Sequence, residues 1–241
     1  MYIVFMIILA AMFAVVPVID ALDIFNKRPD PKDDISTVKC KGYVKTIAFL
    51  WGFVAPVFIM SIIGGISLAD IGFSRISFNH NIWFTAIVIV LAVGLVIYEF
   101  VLPLVRIKKT RAQIMSDPEE DIDEYPQTTK EKVLYSIQTL CSGICEETAY
   151  RGFLLFLLYA VFPEMPIFVI CLIAFVAFAI GHLYQGWRDA VMVGLFGVLS
   201  MCLLIVTGSL IPSIVLHFFG DFAPTFYINQ KQDVVAETGG D

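Results

Sequence analysis

The sequence predicts an all-α protein, a polytopic transmembrane helical bundle of about seven membrane helices, with an eighth left open. Of its 241 residues, 59% are hydrophobic and 16% are charged, and the mean hydropathy is +0.83, far from a soluble domain. The apolar residues also fall into stretches of ~20 residues, the length that crosses a bilayer core about 30 Å thick. The expected partner is therefore the lipid bilayer. The net charge of -6 gives no indication of nucleic-acid binding.

The predicted spans, in order, are residues 2–21, 46–68, 82–105, 133–161, 166–183, 190–207 and 210–228. The first lacks a basic segment before it and a clear cleavage site after it, which favours a retained anchor over a signal peptide. The fourth is long enough to begin as a surface helix. The last three are short and joined by tight links.

The basic residues predict the topology. Residues 24–45 and 106–132 each contain six Lys or Arg residues, whereas residues 69–82 contain only Arg75. The positive-inside rule then places both basic loops and the C-terminal tail in the cytoplasm and the N-terminus outside. The expected location is the cell (plasma) membrane. The acidic stretch SDPEEDIDEYPQTTKEK, residues 116–132, is predicted to be a flexible linker. It divides the chain into an N-terminal part, residues 1–131 with three spans, and a core, residues 132–241 with about four.

Ionisable side chains concentrate in the core. Six of them fall within or at the ends of its apolar spans: Glu146, Glu147, Arg151, His182, His217 and Asp221. Each costs about 2–3 kcal/mol at the centre of a membrane helix, so they are expected to face one another or a water-filled cavity. A functional site is the default interpretation of such a set.

Helical spacing assigns these residues to faces. Glu147 and Arg151 are four residues apart, which predicts an ion pair on one face. Glu146 is turned about 100° from Glu147 and is free to line a cavity, which makes it the candidate base. At a rise of ~1.5 Å per residue, Glu146 and His217 lie at one depth, and His182 lies roughly 12 Å nearer the cytoplasm.

Two chemistries fit a buried carboxylate beside imidazoles. The carboxylate can take a proton from water while the imidazoles stabilise the oxyanion that forms on a carbonyl. Glu146, His182 and His217 could equally hold one divalent metal such as zinc and leave a coordination position open for water. The sequence leaves both open, with no cofactor or with one metal ion.

Three motifs stand in order on the late spans: EETAYR at residues 146–151, FAIGH at 178–182 and HFFGD at 217–221. They resemble the EExxxR, FxxxH and HxxxN or HxxxD motifs of the CPBP (Abi) family of CAAX prenyl proteases and bacteriocin-processing membrane proteins. The resemblance covers about residues 132–228. Asp221 departs from the asparagine of prenyl-protein endopeptidases, and an ionised aspartate cannot donate a hydrogen bond as asparagine does.

The resemblance implies an intramembrane endopeptidase, glutamate-dependent or metal-dependent, that cleaves a lipidated CAAX-like or hydrophobic peptide delivered by the membrane. Its implied catalytic residues are Glu146, Glu147, His182, His217 and Asp221, with Arg151 and Phe178 in support. Within this set Glu146 and His182 activate water, His217 and Asp221 form or orient the oxyanion pair, and Glu147 mainly supports the site. The alternative is a non-catalytic membrane protein that uses the same pocket for peptide binding, bacteriocin immunity or scaffolding. A proton-coupled transporter is a weaker third option because no paired repeats are visible.

Overall fold

A computed structural model describes residues 1–21, 34–78, 80–114 and 126–223, and side chains for 1–16, 34–78, 80–98 and 126–223. This part is helical without strands: α1 (Tyr2–Ala21), α2 (Ile35–Gly64), α3 (Ile82–Ile114), α4 (Thr129–Glu147), α5 (Leu154–Val161), α6 (Ile167–Gly181), α7 (Trp187–Thr207) and α8 (Ile211–Phe222). A π-helical turn, Thr148–Phe153, joins α4 to α5, so the described residues form seven continuous helices and confirm the all-α class. A 3-10 turn, Leu183–Gln185, connects α6 to α7. The predicted C-terminal tail and residues 116–125 of the predicted linker lie outside the described residues.

Three helices begin earlier than predicted: α2 at Ile35, α4 at Thr129 and α7 at Trp187. α2 starts at Ile35 because the Asp34 side chain accepts hydrogen bonds from the backbone amide and the hydroxyl of Thr37, at 3.0 and 2.7 Å. α4 starts at Thr129, capped by Thr128. α3 also continues to Ile114, so the prediction of loops over residues 35–45 and 106–114 and of a linker over 129–132 is wrong. The predicted starts were placed where the sequence becomes apolar, and the first turns of α2 and α4 contain polar side chains. The helices begin instead at the capping residues Asp34 and Thr128.

The continuous helix formed by α4, the π turn and α5 runs through the middle of the bundle. Residues 147–154 are all buried. α2 and α8 pack against α4, the π turn contacts α2, α6 and α7, and α1 covers α5 and α6. This buried segment is surrounded by its neighbours, so it can place side chains from several faces into contact with them.

The link between α2 and α3 closes one end of the bundle against the turn between α7 and α8. The backbone amide of Leu210 donates to the carbonyl of Gly72 at 2.7 Å, which satisfies backbone groups outside the helices. The link also passes directly over the π turn at Gly152. A Cβ added there would lie 2.2 Å from the carbonyl oxygen of Ile71, so only glycine permits this approach.

The outer surface of the bundle is apolar. Large exposed side chains include Ile62, Trp83 and Phe168. Among the described residues, α2 and α7 are long and apolar enough to cross a membrane, and α1, α3, α6 and α8 contribute apolar stretches of 10–17 residues. Apolar side chains outside and charged groups at the centre are the arrangement expected of a bundle in a bilayer.

Glu131 fastens the start of α4 to the start of α2. Its carboxylate is buried and accepts hydrogen bonds from the hydroxyls of Ser36 and Thr128 and from the backbone amide of Gln127, with the Lys39 Nζ 3.8 Å away. Burial raises the pKa of Glu131, but these donors and the ammonium outweigh it and hold the pKa below its ordinary value.

This lowered pKa makes a prediction about acid stability. The Glu131 carboxylate stabilises the fold above its unfolded-state pKa of about 4.3, and the contribution is lost as the pH falls through the lower folded-state pKa. We expect Glu131→Gln to lower the thermal midpoint in detergent near neutral pH, and the difference from the wild type to shrink as the pH falls toward about 3. The exposed loop substitution Glu164→Gln is the control and should follow the wild-type profile. A constant difference between the Glu131→Gln and wild-type midpoints would contradict the prediction.

Candidate functional site

The structure brings the candidate residues of α4 and α8 and His182, which follows α6, together inside the bundle. Glu146 Oε2 lies 3.9 Å from the Nε2 of His182 and 3.9 Å from the Nε2 of His217. Asp221 Oδ2 lies 3.5 Å from the Nε2 of His217. His182 therefore reaches Glu146 through its side chain, whereas its predicted offset in depth stays a prediction.

Glu147 has two partners and no exposed surface. Its Oε1 lies 3.3 Å from the Nη1 of Arg151, which is the ion pair expected from their spacing. The same oxygen accepts a hydrogen bond from the Nδ1 of His217 at 2.9 Å, a contact that the sequence did not predict. Because an ionised carboxylate only accepts hydrogen bonds, the His217 proton sits on Nδ1, and its Nε2 is turned toward Glu146 and Asp221.

Phe178 positions two other members of the site. The Cζ of Arg151 lies 3.8 Å from the centroid of the Phe178 ring, a cation–π contact in a fully buried place. Gly197 leaves room for the guanidinium, since an added Cβ would lie 3.0 Å from its Nη2. The carbonyl of Phe178 accepts a hydrogen bond from the Nδ1 of His182 at 2.9 Å, so the Nε2 of His182 faces Glu146. The four-residue spacing of FxxxH corresponds to this contact between neighbouring helical turns.

Glu146 and Glu147 each have a buried oxygen, Oε2, without a hydrogen-bond partner among the described residues, but of the two only Glu146 is partly exposed and borders a cavity. The side chain of Glu146 is 17% exposed. It borders a cavity of about 480 Å³. A buried acceptor of this kind normally bonds to protein or to water, so Glu146 is the carboxylate that is available to a water molecule or to a ligand.

Two cavities meet at the imidazoles. One, of about 700 Å³, is mostly apolar and lies between α3, α7 and α8, with a lining that includes Phe84, Val88, Leu95, Phe196, Leu199 and Leu216. The other, of about 480 Å³, is more polar and is walled by α1, α2 and α4, with a lining that includes Thr46, Gln138, Ser142 and Tyr150. Four residues line both: His182, Gln185, His217 and Asp221. The site therefore joins an apolar compartment to a polar one.

Glu146, His182 and His217 are spaced more widely than the ligands of a zinc ion. Two bonds of about 2.1 Å at a tetrahedral angle separate the ligand atoms by roughly 3.4 Å. Glu146 Oε2 is 3.9 Å from each histidine Nε2, and the described part of the chain contains no group of three His, Cys, Asp or Glu side chains spaced to hold a metal ion. Glu146, His182 and His217 do not fit zinc as they stand, so no step below runs through a metal.

A further polar row, which runs along α4 into the π turn, was not predicted from the sequence. Gln138, Ser142, Glu146 and Tyr150 recur every four residues, and all four line the polar cavity. The signal was the recurrence of polar side chains at helical spacing in an apolar stretch.

Comparison with known proteins gives one match. Residues 129–223 match the family model described as "Type II CAAX prenyl endopeptidase Rce1-like". The match begins at the first residue of α4, ends just after α8 and contains all three motifs. No curated protein and no solved structure matches the chain significantly. The match confirms the resemblance deduced from the motifs, together with a membrane helical bundle of a protease family.

Proposed function

Because residues 129–223 form an Rce1-like domain of the type II CAAX prenyl endopeptidases, we propose that this integral membrane protein hydrolyses a peptide bond inside the bilayer, using water activated by Glu146 and His182. The substrate proposed is a prenylated CAAX-like or otherwise hydrophobic peptide. The observation that carries the proposal is the unpartnered Glu146 Oε2 at 3.9 Å from two imidazole nitrogens. One water molecule can bridge such a gap with hydrogen bonds of ordinary length.

In the proposed first step, Glu146 removes one proton from this water while the remaining O–H donates a hydrogen bond to the Nε2 of His182. The water oxygen then attacks the carbonyl carbon of the substrate, and the carbonyl oxygen becomes an oxyanion. The proton held by Glu146 passes to the leaving amine as the carbon–nitrogen bond breaks. The products are a carboxylic acid and an amine.

His217 is proposed to stabilise the oxyanion. Since its Nδ1 donates to Glu147, a proton added at Nε2 makes an imidazolium whose second N–H can donate to the oxyanion. Asp221, whose side chain is 41% exposed, lies beside this Nε2 and supports the imidazolium by charge. An orienting role for Asp221 therefore suits its chemistry better than the direct donation that asparagine would give.

The two cavities suggest how a substrate is divided between them. The apolar cavity suits a hydrocarbon chain, and the polar cavity suits a peptide main chain, so that the bond to be cleaved lies at the imidazoles where they meet. α1 and α2 wall the polar cavity, so the N-terminal part contributes to the site. The cytoplasmic placement of the basic loops and the C-terminus, the outside N-terminus and the plasma membrane remain part of this proposal.

The test uses the full chain in liposomes with three versions of one fluorogenic CAAX-like peptide. The first is farnesylated on its cysteine, the second carries no lipid, and the third carries an alkyl chain at its N-terminus, which delivers it to the membrane without a lipid near the scissile bond. We expect mass spectrometry to find cleavage at one peptide bond, fastest in the farnesylated peptide. No cleavage of any version would contradict the proposal. Farnesylated-peptide binding without cleavage would favour the alternative of a peptide-binding immunity or scaffolding protein.

The spacing of the site also predicts an outcome for metal removal. Because the three candidate ligands are too far apart for zinc as they stand, protein stripped with a chelator should keep its cleavage rate within about twofold. Metal content measured on the same sample is the control for stripping. A rate that falls with metal content and returns when zinc is added would contradict the prediction.

A further inference from the structure

The ring of Tyr150 is held by aromatic neighbours from three helices. It stacks on Phe13 of α1 at 4.0 Å between ring centroids, with 6° between the ring planes. Phe53 of α2 stacks at 6.0 Å, and Phe178 of α6 meets the ring edge-on at 5.1 Å. A phenylalanine could make every one of these ring contacts. The hydroxyl group therefore needs an explanation of its own.

The hydroxyl points to the polar cavity. Tyr150 is 4% exposed, lines the cavity of about 480 Å³ and follows Glu146 by four residues on the same helix. Its Oη makes no hydrogen bond to the described residues and keeps accessible surface, so it is open to the cavity and not enclosed. Gly181 keeps the adjacent space open, because a Cβ added there would lie 3.0 Å from this Oη. A rigid ring thus presents an unused donor to the compartment that holds Glu146.

We propose that Tyr150 is a substrate-binding residue whose hydroxyl donates a hydrogen bond to a main-chain carbonyl oxygen of the peptide beside the scissile bond. This inference rests on the proposed function and extends it. An uncharged acceptor is favoured because the lining of the polar cavity contains no Lys or Arg and includes the carboxylates of Glu146 and Asp221. A carboxylate of the peptide next to these groups would meet like charge without a lysine or arginine to offset it.

The test is Tyr150→Phe, which keeps the ring and removes only the hydroxyl. We expect KM for the farnesylated peptide to rise about fivefold to tenfold and kcat to change less than twofold, because one hydrogen bond is lost from ground state and transition state alike. Tyr43→Phe is the matched control, since Tyr43 is also buried with an unpartnered hydroxyl but does not line the cavity. Its KM should stay at the wild-type value. A Tyr150→Phe KM within twofold of the wild type would overturn the inference.

The acceptor is identified by comparing peptides that end in a free acid and in an amide. Donation to a main-chain carbonyl predicts the same loss for both peptides in Tyr150→Phe. A loss confined to the free acid would mean that the hydroxyl binds the terminal carboxylate, and it would overturn the assignment.

A binding measurement separates this inference from the proposed function. The farnesylated peptide is titrated into the Glu146→Gln variant and into the Glu146→Gln, Tyr150→Phe double variant, neither of which needs to cleave it. We expect the double variant to bind with a Kd about fivefold to tenfold higher. If the wild type never cleaves but this difference is found, the proposed function fails and the role of Tyr150 in binding the peptide stands. Equal Kd values would overturn the inference even if the wild type cleaves.

Discussion

Glu146→Gln is expected to lower kcat for peptide cleavage by about a thousandfold, within the range that general acid–base catalysis contributes. Glutamine has the same shape but cannot take a proton from water. The substitution breaks no hydrogen bond at Oε2, because that oxygen has no partner among the described residues. Stability should therefore be unchanged or should increase, since a buried charge without a hydrogen-bond partner is removed. Single-turnover cleavage in liposomes, with the thermal midpoint measured on the same preparation, checks both parts.

Glu164→Gln provides the control for this experiment. It makes the same substitution at an exposed loop position that lines neither cavity. Its kcat should equal that of the wild type. If Glu146→Gln keeps more than about a tenth of the wild-type kcat, Glu146 is not the base that activates water.

Arg151→Met is expected to destabilise the protein by about 3–5 kcal/mol, the cost of breaking a buried ion pair by removing one partner. Methionine fills much of the volume over the Phe178 ring, so the loss reports mainly on charge. Glu147 would keep its hydrogen bond from His217 but lose the guanidinium 3.3 Å away. Equilibrium unfolding in mixed micelles measures the change in the free energy of unfolding.

Two further variants test this explanation. Arg188→Met, at an exposed position near the start of α7, should change stability by no more than about 0.5 kcal/mol. Adding Glu147→Gln to Arg151→Met should recover part of the loss, because the uncompensated charge is then gone. Equal stability of the Arg151→Met and Arg188→Met variants would show that the buried pair contributes little to the fold.

Local spacing predicted the parts of the site that lie on a single helix. The Glu147 and Arg151 pair follows from their separation by four residues, and the availability of Glu146 follows from its rotation away from that pair. The hydrogen bond between Glu147 and His217 joins residues 70 positions apart, so it depends on how α4 and α8 pack. No single-helix pattern contains that information.

The two glutamates are also less separate than the sequence predicted. A rotation of about 100° between neighbours was expected to give them different environments. In the structure the His217 ring lies between them, with its Nδ1 2.9 Å from Glu147 and its Nε2 3.9 Å from Glu146. An imidazole has nitrogens on opposite sides, and it can therefore contact carboxylates from two faces of one helix.

The division of the chain at residue 131 stays a prediction.

The π-helical turn at residues 148–153 has a consequence for sequence alignment. Such a turn is equivalent to one residue inserted into an α-helix, so α4 and α5 belong to different helical phases. A relative lacking one residue at position 152 or 153 would retain every letter of EExxxR, FxxxH and HxxxD. Such a relative can continue as a regular α-helix with α5 facing the same neighbours, because the π turn absorbs the extra residue locally. Counting 100° per residue from the glutamates across the turn would instead misplace Tyr159 by about 100°. A single gap in this segment therefore indicates that the π turn is absent and that α5 keeps its orientation, which motif letters alone do not record.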